Sequence, residues 1–226
     1  MDPASGREGP FRIAALASGR GSNLQALIDA IAAGTLDARI VGVFSDKAQA
    51  VALERARTAG IETAALSPKG FSSRVEFDQA LFERVDAVRP DLVVCAGYMR
   101  LISAPAVDAR PGLLVNIHPS LLPHFKGLHT HRQALEAGAP EHGASVHYVT
   151  AELDGGPVIA QAKVPVLPGD DEDTLAARVL EREHPLLVET VRFIASGRVR
   201  LREHSVQLDG APLAAPLQLG SNNRFA

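Results

Sequence analysis

Phe11-Arg-Ile-Ala-Ala-Leu-Ala17 runs directly into Ser18-Gly-Arg-Gly-Ser-Asn23 and then into Leu24, Leu27, Ile28 and Ile31. The first segment is a short apolar run of strand length. The last four residues follow the spacing that buries one face of a helix, and Gly34 is a natural stop. Strand, glycine-rich turn and helix therefore succeed one another. Glycines at 19 and 21 allow the backbone to turn tightly, and the amides of Gly21, Ser22 and Asn23 at a helix N-terminus form a ready site for a phosphate. A dinucleotide fingerprint would require a third glycine at position 24, which is Leu24 here, so a nicotinamide or flavin cofactor is disfavoured. A tight turn without a ligand is the competing reading of these residues alone.

Outward from this unit the pattern repeats. Arg39–Phe44 reads as a strand, 48–59 as a helix closed by Gly60, and 61–66 as a short strand. The loop 67–73 precedes a helix over 74–88 with Phe77, Leu81, Val85 and Val88 on one side, and Asp91–Ala96 is a further strand. Strands alternating with helices predict a Rossmann-like α/β fold: an open, mostly parallel sheet covered by helices on both faces. Residues 144–150 and 157–166 read as two strands joined through Leu153-Asp-Gly-Gly156, an antiparallel hairpin that makes the sheet mixed. A short helix is expected over 130–137. A long one, opened by the acids 170–172, runs to Gly197 and is interrupted by Pro185. The expected organisation is a disordered tail at 1–10, one domain over 11–201, and a C-terminal hairpin with a loosely ordered tail over 202–226.

The chemistry gathers in Gly112-Leu-Leu-Val-Asn-Ile-His-Pro-Ser-Leu-Leu-Pro123 and the following His124-Phe-Lys-Gly-Leu-His-Thr-His131. An apolar strand places Asn116 and His118 two residues apart, so both side chains leave the same face, and Pro119 stops the strand. An amide beside an imidazole at a strand's carboxyl end can polarise a carbonyl and move a proton. An isolated pair of this kind equally serves to satisfy backbone groups, and Asp154 before Gly155-Gly156 equally serves to shape a turn.

Composition bounds these readings. The chain has 226 residues, 46% hydrophobic, with a formal net charge of -3. That suffices for a core and supplies no basic field for nucleic acid. The single cysteine, Cys95, lies within an apolar run and reads as a small buried hydrophobe in a reducing cytoplasm. No apolar run reaches the length of a membrane span and no signal-peptide core is present, so the reading is a protein that is not exported.

Gly21-Ser-Asn-Leu-Gln25, Gly97-Tyr-Met-Arg-Leu-Ile102, Asn116-Ile-His-Pro-Ser-Leu-Leu-Pro123, Gly127-Leu-His-Thr-His131 and Leu153-Asp-Gly-Gly-Pro-Val158 together resemble the folate-dependent formyltransferases, and within them the phosphoribosylglycinamide formyltransferase branch of purine synthesis. The likeness runs in one register from about Phe11 to Arg200. It implies transfer of the formyl group of 10-formyltetrahydrofolate to the primary amine of glycinamide ribonucleotide, without a metal. It implies catalytic roles for Asn116, His118 and Asp154. Gly21, Ser22 and Asn23 would hold the substrate phosphate, and Glu183 the ribose hydroxyls. Folate would lie along Met99, Arg100, Leu101 and Ile102, against Asn116 and against Thr150, Ala151, Glu152, Leu153 and Asp154, with Arg74 near its glutamate carboxylate. The partners are these small molecules, not nucleic acid or membrane, and the protein is expected as a monomer or homodimer. Two positions depart from the pattern. Lys126 stands where a proline often precedes the glycine, and Pro185 would kink the helix bearing Glu183.

The chemistry agrees with that implication. An amine adding to a formyl carbon puts charge on the oxygen and must release a proton. Asn116 can donate to that oxygen, and a carboxylate at 154 would raise the His118 pKa and favour imidazolium. A formyltetrahydrofolate hydrolase would use water instead; its usual N-terminal regulatory domain has no counterpart in the roughly ten residues before the first strand. A catalytically silent phosphate-binding module would need none of Asn116, His118 and Asp154. His129 and His131 lack further evident ligands for a metal.

Overall fold

The computed structural model describes residues 9–225, so nearly all of the expected N-terminal tail lies outside the described residues. The first half alternates as expected. β1 (Phe11–Leu16), α1 (Ser22–Ala32), β2 (Ala38–Ser45), α2 (Val51–Thr58) and β3 (Thr63–Ala65) are followed by α3 (Arg74–Ala87) and β4 (Leu92–Cys95). The second half contains α4 (Ala104–Asp108), β5 (Leu114–His118), α5 (Thr130–Glu136), β6 (Glu141–Tyr148), β7 (Val158–Pro165) and α6 (Glu172–Ala195). β8 (Val199–Arg202), β9 (Ser205–Leu208), β10 (Ala211–Pro212) and β11 (Leu217–Gln218) complete the chain.

Eight strands form one sheet in the order β11-β7-β6-β5-β4-β1-β2-β3. Pairing is parallel from β3 to β5, while β6 runs antiparallel to both β5 and β7. Strand parity divides the core. Ile13 and Ala15 of β1, with Leu92 and Val94 of β4, pack against Leu24 and Leu27 of α1 and Leu187 of α6. Ala14 and Leu16, with Val93 and Cys95, pack on the other face against Phe77, Leu81 and Val85 of α3. Each fully buried leucine or phenylalanine contributes roughly 1.5–3 kcal/mol of transfer free energy, and both sheet faces are supplied with them.

The strand order reverses at β1, whose neighbours β2 and β4 are reached by crossovers in opposite directions. The carboxyl ends of β1 and β4 therefore flank a crevice of the kind that holds ligands in open α/β sheets. α1 begins there without a side-chain cap: Gly21 occupies the N-cap in a left-handed conformation at φ 73°. A Cβ on Gly21 would stand 2.7 Å from the Cβ of Ala52 and 2.8 Å from its Cα, so glycine is required both by the dihedral and by the close approach of α2. By contrast α3 is capped by Ser73 and α6 by Asp171, whose side chains accept the N–H groups of Glu76 and Thr174.

Three expectations change. α6 continues through Pro185, because Leu175, Val179, Leu186, Leu187 and Val191 along its length are all buried and hold the helix on the sheet despite the missing N–H. The C-terminal segment is not a separate loose tail: β8, β9 and β10 form an antiparallel sheet, and Val199, Val206 and Leu219 belong to the main core. Beyond it β11 pairs with β7, and side chains of α6 grip the remainder. Arg182 donates to Asn223 Oδ1 and to the carbonyls of Leu219 and Gly220, while buried Glu189 accepts from Arg192, Arg224 and the Phe225 N–H. The five-residue α4 went unread because a helix that short carries no period.

Candidate active site

β5 builds the centre. Leu114 faces the α3 side of the sheet, and Asn116 and His118 share its parity, so they emerge together where the strand ends. β6 pairs with β5 in the register Asn116↔His147. The Asn116 amide is 3.2 Å from His147 Nε2. His147 Nδ1 lies 2.9 Å from the carbonyl oxygen of Tyr148, which can only accept, so Nδ1 carries the proton and Nε2 receives the Asn116 donor. His147 thus orients Asn116, and sequence reading missed it because the register between strands is not written in either one.

Asp154 arrives from the loop joining β6 to β7. It adopts a left-handed backbone at φ 47°, a conformation aspartate tolerates. Gly156 then passes so close to β6 that a Cβ would meet the Tyr148 carbonyl oxygen at 1.8 Å, which explains a glycine there. The carboxylate accepts the Gly127 N–H at 2.9 Å. Its oxygens lie 3.5 Å from His118 Nδ1 and 3.7 Å from His147 Nε2. Burial by itself would raise the Asp154 pKa, but the His147 and Gly127 contacts and the neighbouring imidazoles outweigh it and hold the carboxyl below its ordinary value.

His118 Nε2 lies 3.1 Å from the Phe125 carbonyl oxygen and donates to it, leaving Nδ1 turned toward Asp154. The expected net rise in its pKa is not what the structure gives. Burial dominates and lowers it; Asp154 and the Phe125 carbonyl pull upward without prevailing, and His147 adds to the depression. The direction of the Asp154 effect matches the expectation, whereas the cost of desolvating the imidazolium could not be read before the fold was known.

A cleft of about 560 Å³ opens over these groups. Met99, Arg100, Leu101, Ile102, Asn116, Thr150, Glu152, Leu153 and Asp154 all line it, as do His147, Gly127 and His131. Ala151 is exposed and outside the lining, and Arg74, exposed at the first turn of α3, is also outside it. The rim carries unusually exposed apolar side chains: Met99 at 66%, Leu128 at 71% and Leu153 at 51%. Apolar surface around a cleft with few convergent polar groups suits a flat heteroaromatic ligand. A larger cleft of about 690 Å³, lined by Arg12, Arg39 and Glu62 at the opposite ends of the strands, lacks such convergence.

The remaining residues of the expected set meet elsewhere in the crevice. Asn23 donates to Glu183 at 2.9 Å, both buried, which brings the turn of α1 onto α6. Burial raises the Glu183 pKa, with the Asn23 donor opposing. Asn23 Oδ1 has no protein partner. His131 pairs with buried His142 at 3.1 Å, and His129 caps α5 with a left-handed backbone. Among the described residues no cluster of three or more His, Cys, Asp or Glu is arranged to hold a metal ion. Lys126 forms an exposed ion pair with Glu152 at 2.8 Å across the cleft rim.

Residues 11–191 match the protein family described as formyl transferase. The chain is 52% identical over 203 residues to the phosphoribosylglycinamide formyltransferase of Escherichia coli strain K12, covering 90% of this chain and 96% of that one. A solved structure of the phosphoribosylglycinamide formyltransferase of Coxiella burnetii, in complex with CHES, aligns with a TM-score of 0.87 at 45% identity and covers 91% of this chain and 96% of its own. A formyltetrahydrofolate deformylase from Pseudomonas syringae pv. tomato aligns with a TM-score of 0.80 at 27% identity, covering 88% of this chain and 66% of its own.

Proposed function

The chain belongs to the formyl transferase family, and from that premise we propose that it transfers the formyl group of 10-formyltetrahydrofolate to the primary amine of glycinamide ribonucleotide, in purine synthesis. The reading rests on one observation above the others: Asn116, His118 and Asp154 converge on one cleft, with His118 Nδ1 3.5 Å from the carboxylate. Phosphate binding alone would require none of the three. The hydrolase alternative is less supported, since the deformylase shares 27% identity against 52% for the transferase.

In this reading the apolar rim and the segment 99–102 receive the folate, which supplies the formyl carbon. Gly21, Ser22 and Asn23 bind the nucleotide phosphate with open helix N–H groups, and Glu183 binds the ribose. Asn116, held by His147, spends one amide hydrogen on that histidine and offers the other to the formyl oxygen as charge develops there. His118 in its imidazolium form stabilises the same oxygen and delivers a proton to the leaving folate nitrogen. Asp154 sustains the imidazolium and, through water, receives the proton released by the attacking amine. One proton leaves the amine and one reaches folate, so the transfer balances. The depressed His118 pKa fits this sequence, because negative charge growing beside the ring restores the affinity for a proton that burial removes.

A cytoplasmic setting and a monomer or homodimer complete the proposal. Among the described residues no helix is long and apolar enough to cross a membrane. The test mixes the protein with 10-formyltetrahydrofolate, with and without glycinamide ribonucleotide, and follows both tetrahydrofolate and formylated nucleotide. Stoichiometric products that require the nucleotide are expected. Tetrahydrofolate release without it would establish a hydrolase, and no reaction would refute the assignment.

A further inference from the structure

Ser18 is the first residue of the glycine turn and lies against the wall expected to hold folate. Its backbone N–H donates to the Gly97 carbonyl at 3.0 Å, and its hydroxyl accepts the Met99 N–H at 2.9 Å. That hydroxyl has one proton, donated to Asp46 Oδ1 at 2.6 Å. With its donor committed to a carboxylate, the oxygen presents its lone pairs to Met99, and the three groups form a polarised chain from N–H through O–H to carboxylate. Ser18 and Asp46 are buried, at 3% and 8% exposure. Solvent is thus poorly placed to replace a lost partner, and the bond fixes relative position. The other end of the wall is held differently: Asp78, fully buried on α3, accepts the Ser103 N–H at 2.7 Å and belongs to no part of the turn.

We propose that Ser18, braced by Asp46, is a positioning residue that couples the two substrate subsites, so that filling the phosphate turn organises the folate wall and the reverse. The inference rests on the function proposed above and adds a property to it. A phosphate on the amides of Gly21, Ser22 and Asn23 restricts the turn, and the turn carries Ser18. The far side of the turn is already tied to α2, since Gly19 accepts the Ala52 N–H at 3.1 Å and Arg20 accepts from the Arg55 side chain at 2.8 Å. Ordering imposed by the first ligand is therefore felt at Gly97 and Met99. A ligand that meets a wall already ordered binds more tightly, and linkage makes the effect reciprocal.

Tetrahydrofolate and glycinamide ribonucleotide form a pair that cannot react, because the formyl group is absent, so both can be held on the full chain during calorimetric titration. The dissociation constant of tetrahydrofolate is measured without and with saturating nucleotide. Expected is tightening of about fivefold or more in the unaltered protein. In Ser18→Ala the two constants become equal while each ligand still binds alone. Asp46→Ala reduces the ratio in the same direction, whereas Asp46→Asn, which still offers an oxygen to the Ser18 hydroxyl, retains it. Asp78→Asn weakens tetrahydrofolate in both titrations and leaves the ratio intact. A ratio of one in the unaltered protein, an unchanged ratio in folded Ser18→Ala or Asp46→Ala, or an equal collapse in Asp78→Asn would overturn the coupling. Failure of the unaltered protein to bind either ligand would instead overturn the proposed function, and the coupling with it.

Discussion

Asp154→Asn preserves the shape of the side chain and its carbonyl oxygen for the Gly127 N–H, but deletes the charge 3.5 Å from His118 Nδ1. Both side chains are nearly buried, at 9% and 7% exposure, so solvent screens the pair weakly. With an effective dielectric constant of about 20 to 40, two unit charges at that separation interact by roughly 2–5 kcal/mol. Converted through the population of imidazolium, that is a loss of roughly 50- to 3,000-fold in turnover near neutral pH. The sign follows from the opposing influences on the ring. Burial already lowers the His118 pKa and Asp154 opposes the fall, so removing the carboxylate depresses it further and moves the surviving activity toward acid. Steady-state kcat from pH 5 to 9, with KM for both substrates and a urea unfolding curve, checks the point. The expected result is a large fall in kcat, an acid-shifted profile and an unfolding midpoint close to that of the parent. Retention of more than about one-tenth of the parental kcat with an unchanged pH profile would refute the reasoning.

Gly21→Ala combines a left-handed dihedral with a collision against the backbone of α2, and should cost about 2–4 kcal/mol in urea unfolding and abolish detectable nucleotide binding. Lys126→Ala removes an ion pair whose members are 35% and 70% exposed, so stability should change by less than about 1 kcal/mol and the folate KM by no more than about twofold. The protein should also lose stability in mild acid. Burial lowers the pKa of His118, His131 and His184, and that of His142 to about 4. Below pH about 6.5 the unfolded chain therefore binds protons that the folded one refuses, and the melting temperature should fall steadily between pH 7 and 4.5. A flat melting temperature over that interval would contradict the assigned burial of these rings.

What could be read from the chain was set by parity and period. The alternation of β1 and β4 between the two core faces, the apolar side of α3 and the placement of Asn116 with His118 all follow from local spacing. The partners of the catalytic groups do not. His147 reaches Asn116 through the pairing of β5 with β6, and the Phe125 carbonyl and Gly127 amide are backbone groups that no residue type announces. The sign of the His118 shift is a collective property, since desolvation depends on everything packed around the ring. Pro185 misleads for a related reason: its local penalty is real, but the buried face of α6 extends on both sides of it and prevails. The C-terminal segment carries too few apolar residues to predict order. Its anchoring depends on Arg182 and Glu189, which read as solvated charges until the fold brings the segment to them.

Cys95 sits within β4 at 3% exposure, and burial pushes its thiol up to about 12, so at neutral pH it is both unreachable and unionised. The native chain is consequently silent toward maleimide reagents, and a cysteine introduced on the surface becomes the sole labelling point without any residue having to be removed. Placed at Leu128, which is 71% exposed beside the cleft, an environment-sensitive fluorophore would turn ligand arrival into an optical signal, with the unmodified protein as its own blank.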